Sequence, residues 1–109
     1  MQEENLETEL RKMEVRLKEF IEAENEATES IRRCINKFTD LNNFIQSLSK
    51  ENIQEQLQRV LELKLEAIKA FYDALEKMSK AEHEKSHLLE SYGSIILALE
   101  EQFQKLLGK

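Results

Sequence analysis

The chain has 109 residues, no proline, two glycines, 35% charged and 40% hydrophobic residues, and a net charge of -6. That composition suits long helices rather than sheets and turns, and its apolar share is too large for a disordered chain. Glu19, Glu22, Glu24, Glu26 and Glu29 are crowded together, against a short basic patch at Arg32, Arg33 and Lys37, a balance that argues against nucleic acid or an anionic membrane as partner.

No run approaches the ~20 apolar residues that span a bilayer, and the start, Met-Gln-Glu-Glu-Asn, has neither the basic nor the apolar region of a signal peptide. Cys34 is the single cysteine, so an internal disulfide cannot form. A reducing, cytoplasmic compartment is expected.

A first helix is expected over about 3–49, starting near Gln2 to Asn5. Its apolar side chains recur at alternating steps of four and three: Leu6, Leu10, Met13, Leu17, Phe20, Ala27, Ile31, Cys34, Phe38, Leu41, Ile45 and Leu48, interrupted only by Glu24. A mean step of about 3.5 residues keeps one seam turned toward a partner helix. At ~1.5 Å per residue the ladder is roughly 65 Å long, too long for an ordinary small core. Thr39, Asp40, Asn42 and Asn43 are poor helix formers, but the ladder passes through them without losing phase, which favours one unbroken helix.

The turn is expected at Ser47 to Asn52, where Asn52 and Glu55 have the spacing of a capping box. A second helix over about 53–107 carries its own ladder, from Leu57, Leu61, Ile68, Phe71, Leu75 and Met78 to Leu89, Tyr92, Ile96, Leu99, Phe103 and Leu106. Beside it runs a further column at Val60, Ala67, Ala74, Ala81, Leu88 and Ile95, which widens the stripe to the face used in bundles. Gly108 fits a C-terminal stop, and Gly93 sits inside the pattern, where it weakens or kinks the helix. The polar stretch from Ser79 to His87 has no Gly or Pro and keeps the heptad phase, yet Ser79 and Glu82 also have capping spacing.

The fold expected is therefore all-α, one helical domain over 1–109: a long antiparallel hairpin that associates into a helical bundle, with a three-helix bundle broken near 79–87 as the alternative. The hairpin sets Leu48 beside Gln54, Cys34 beside Ile68, Ile31 beside Phe71 and Leu6 beside Ile96. Residues beyond Ile96 then have no partner within the chain. Ile95, Leu97, Leu99, Phe103, Leu106 and Leu107 are expected to form the partner interface. Glu24, Lys64, Glu82 and Lys85 occupy core phases, where polar groups set register at some cost in stability. Cys34 reads as a small buried hydrophobe, and Phe20, Phe38, Phe71, Tyr72, Tyr92 and Phe103 read as core.

His83-Glu84-Lys85-Ser86-His87 matches H-E-x-x-H, the zinc protease pattern in which two histidines ligate metal and the glutamate activates water. Glu90, Glu100 or Glu101 would be the third ligand. With Met78, Glu82, Lys85 and Leu89 at core phases, however, His83 and His87 point to solvent, and an all-helical chain of this size builds no substrate cleft. A di-iron carboxylate bundle needs two E-x-x-H repeats, and the chain has one. The sequence thus predicts no enzyme, metal or cofactor. It predicts a scaffold, adaptor or small chaperone-like subunit that binds itself or another helical protein. A curved module on a membrane surface, which the acidic cluster disfavours, and a zinc-dependent hydrolase through His83, Glu84 and His87 are the alternatives.

Overall fold

A computed structural model describes residues 5–108. They form an all-α structure of two long helices packed against each other as a hairpin, α1 over Leu6–Gln46 and α2 over Ile53–Leu106. Asn5 starts α1: its Oδ1 accepts from the Thr8 N–H at 2.9 Å and its carbonyl from the Glu9 N–H, covering donors the first turn leaves free. The positions before Asn5 lie outside the described residues. The helix runs through Thr39, Asp40, Asn42 and Asn43, with Thr39 Oγ1 donating to the Ile35 carbonyl, and ends three residues earlier than expected.

The capping box at Asn52 and Glu55 does not form. Asn52 Oδ1 instead reaches back to the Ser49 N–H at 2.8 Å, while the Ser49 carbonyl accepts from Asn52 and Ile53. Ser49 thus caps the turn that leads into α2. Glu51 shares it, its carboxylate held below the ordinary range by its own backbone N–H and by Ser49. Helix α2 is unbroken through 79–87, so the three-helix alternative is set aside. At its end Gly108 adopts φ 76° and donates to the Lys105 carbonyl, a left-handed stop that glycine enters without a Cβ clash.

The chain divides into two compact units: Asn25–Ser79, which holds the turn, and Met1–Glu24 with Lys80–Lys109, the terminal unit. In the turn unit the buried residues are Ala27, Ser30, Leu63, Ala67 and Ala74, with Cys34, Leu41, Phe44, Val60 and Ala70 half-buried. In the terminal unit they are Glu9, Ala23, Ser91 and Ala98, with Met13, Arg16, Phe20, Ala81, Glu84, Leu88 and Ile95 half-buried.

These positions keep the three-four alternation but overturn the expected facing of both helices. One column of the α1 ladder, Met13, Phe20, Ala27, Cys34 and Leu41, is in the seam; its companion, Leu10, Leu17, Ile31, Phe38 and Ile45, is exposed. Small or polar residues replace it: Glu9, Arg16, Ala23 and Ser30. On α2 the seam uses Val60, Ala67, Ala74, Ala81, Leu88 and Ile95, expected beside the ladder, and Leu63, Ala70, Glu84, Ser91 and Ala98. The expected ladder on α2 is exposed except Ile68, and so are Tyr72 and every aromatic expected in the core except Phe20.

Rotation rather than axial slip is the difference. An alignment that sets Ile31 beside Phe71 puts Ser30 level with Tyr72, one position from the Asp73 to which Ser30 Oγ donates at 2.8 Å. Glu24, Lys64, Glu82 and Lys85 supply a physical reason for the rotation. They share columns with the large apolar residues, and a seam built on those columns would bury all four charges; in the structure all four are exposed.

Candidate functional site

In the turn unit the two sides of the seam differ in chemistry. On one side Arg33 Nη2 lies 3.5 Å from Asp73 Oδ2 and donates to Ser30 Oγ at 3.1 Å, while Lys37 Nζ lies 3.7 Å from Glu66 Oε2. The Ser30 hydrogen bond, more than the charges of Lys77 and Arg33, holds the Asp73 carboxyl below its ordinary range. Arg33 and Asp73 each flank the seam on their own helix, so their meeting places those two columns on one side.

The opposite flanks therefore share the other side. They are Ile31, Phe38 and Ile45 on α1, and Leu57, Phe71 and Met78 on α2, with Leu61 and Leu75 next to them, all between 37% and 50% exposed. Large apolar side chains therefore recur at heptad spacing on one side only, opposite an ion-paired side.

The terminal unit repeats the pattern. Leu10, Met13 and Leu17 of α1, with Glu14, line a groove of about 280 Å³ with Leu88 of α2. Ile21, Tyr92, Ile96, Leu99 and Phe103 are exposed on the same phases or beside them. Of the expected partner interface, Leu97, Leu99, Phe103, Leu106 and Leu107 are exposed, Leu106 most at 85%, whereas Ile95 is half-buried in the seam. The apolar surface is wider than the sequence assigned, because the columns that make it were expected inside the hairpin. The signal that would have found it is the run of small residues in the seam columns, Ala67, Ala74 and Ala81 on α2 and Ala23, Ala27 and Ser30 on α1, since small side chains let helix axes approach closely.

Arg16 and Glu9, both in this unit's seam, have polar partners. Arg16 Nη1 donates to the His87 carbonyl at 2.9 Å and to Ser91 Oγ at 2.8 Å, and the buried Glu9 carboxylate lies 3.5 Å from Lys12 Nζ. The H-E-x-x-H segment is helical, with His83 exposed and His87 and Glu84 half-buried. The imidazole rings of His83 and His87 have centroids 4.3 Å apart. Glu90, Glu100 and Glu101 are exposed and do not join that cluster. Among the described residues no helix is long and apolar enough to cross a membrane. No protein-family model matches the chain, and neither a curated protein nor a solved structure is significantly similar to it.

Proposed function

We propose that this chain is a non-enzymatic helical protein–protein interaction module, a scaffold, adaptor or small chaperone-like subunit of a homo- or hetero-oligomeric helical bundle. The observation that carries this reading is the one-sidedness of the turn unit, where Ile31, Phe38, Ile45, Leu57, Phe71 and Met78 lie opposite the Arg33–Asp73 pair. A second helical surface, another copy or a different protein, covers the apolar side. Each large side chain gains roughly 1.5–3 kcal/mol when burial is complete, and a hairpin alone leaves about half of that unrealised. Two such hairpins closing face to face make a four-helix bundle. Leu97, Leu99, Phe103, Leu106 and Leu107 extend the contact in the terminal unit. Glu24, Lys64, Glu82 and Lys85 interrupt the apolar columns and act between layers, where they fix register and partner choice. A single domain in the cytoplasm belongs to the same reading.

Light scattering on the full chain over a wide range of concentration tests it. The wild type is expected to be a dimer or larger, and Phe38→Glu combined with Phe71→Glu a monomer that retains its helical circular dichroism. A fully folded monomer whose mass and stability ignore both substitutions overturns the reading.

A further inference from the structure

The sequence pattern set His83 and His87 aside because Glu82 and Lys85 held the core phases. The rotation of α2 reverses that premise: Glu84 now faces the seam, and His87 stands on its flank. His83, Glu84 and His87 each offer a ligand atom, and these atoms all lie within 4.8 Å of one another. Glu84 Oε2 is out of contact with water and has no hydrogen-bond partner. A carboxylate oxygen in that state is costly unless a proton or a cation meets it.

We propose that His83, Glu84 and His87 form a divalent transition-metal site of the zinc class, clipped across one turn of α2. Two neutral imidazoles and one carboxylate are the donor set that suits zinc, with metal–ligand bonds of about 2.0–2.2 Å. A tetrahedral site with such bonds needs ligand atoms roughly 3.4 Å apart, so rotations about the side-chain torsions of all three residues must draw them together. Three protein ligands leave one position open, for water or for a donor from a partner. Arg16 is the opposing charge: its guanidinium is fixed on the His87 carbonyl and Ser91 Oγ, one turn further along α2. Its hydrogen bonds direct it at the backbone and at Ser91.

Calorimetric titration of the chelator-treated full chain with zinc chloride tests the site, alongside the imidazole resonances by NMR. One zinc per chain is expected, perturbing both histidines in the same titration. His83→Ala and His87→Ala should each weaken binding by at least the roughly tenfold that loss of even an outer-shell partner costs, and Glu84→Gln should do the same without loss of helicity. Uptake equal in wild type and His87→Ala overturns the site. Unchanged affinity in Glu84→Gln overturns it as well, because the histidine pair would then be acting alone. Failure of the wild type to take up zinc at concentrations comparable to its own does so directly.

Discussion

Ser30 is a hydroxyl with 1% of its surface in water, set where a ladder of large apolar residues would have put nothing polar. It is satisfied on both sides, donating to Asp73 and accepting from Arg33. The consequence is a dependence on pH with a definite sign. Asp73 has its folded value lowered, so the stability it contributes is fully present above its unfolded value of about 3.9 and is lost as the pH falls through the lower folded value. Ser30→Ala removes the bond to the charged form. The variant should therefore be less stable than wild type at neutral pH, and the gap should narrow below about pH 4. Urea midpoints on both sides of that range measure it. A gap that stays constant with pH would mean that Ser30 acts by filling space alone.

Each helix was largely legible in the sequence, because the signals that make a helix are local. The absence of Pro and the unbroken heptad phase were enough to carry α1 through Asn42 and Asn43, and α2 through Ser79 to His87. Helix α2 starts at Ile53 as expected, but the side chain of Asn52 accepts from the Ser49 N–H rather than pairing with Glu55. Gly93 lies in the interior of α2 with nothing within 4 Å of where a Cβ would stand. It imposes backbone entropy and fills no tight space. Gly93→Ala should therefore stabilise the chain by about 0.5–1 kcal/mol, seen as a thermal midpoint a few degrees higher. A lower midpoint would show that the glycine is needed for a bend in α2.

At the scale of the molecule, the axial register of the hairpin was readable and the rotation of its helices was not. Register follows from the position of the turn, whereas rotation is a choice between two adjacent faces of similar periodicity. Leu10, Leu17, Ile31 and Phe38 form the more hydrophobic face, and hydrophobicity alone selects it for the seam. The charges of Glu24, Lys64, Glu82 and Lys85 on those columns, and the bonds available to Ser30 and Arg16 on the others, decide against it. Of the exposed apolar residues, Leu97, Leu99, Phe103, Leu106 and Leu107 were expected outside the hairpin seam, and the lateral face was missed for the same reason. If association covers that face, stability is tied to mass action, and the thermal midpoint should rise with protein concentration. A midpoint independent of concentration, measured by circular dichroism across the range used for light scattering, would separate folding from assembly.

The turn at Ser49 and Asn52 also has a kinetic meaning. Contacts across the seam span more chain with distance from it: 43 residues separate Ser30 from Asp73, and 75 separate Arg16 from Ser91. Closing the shorter loop first lowers the entropy lost in closing the next, so the hairpin is expected to zip from the turn and to reach Arg16 late. Opening should run in reverse, and native-state hydrogen exchange is expected to show less protection around Arg16 and Ser91 than around Ser30 and Asp73.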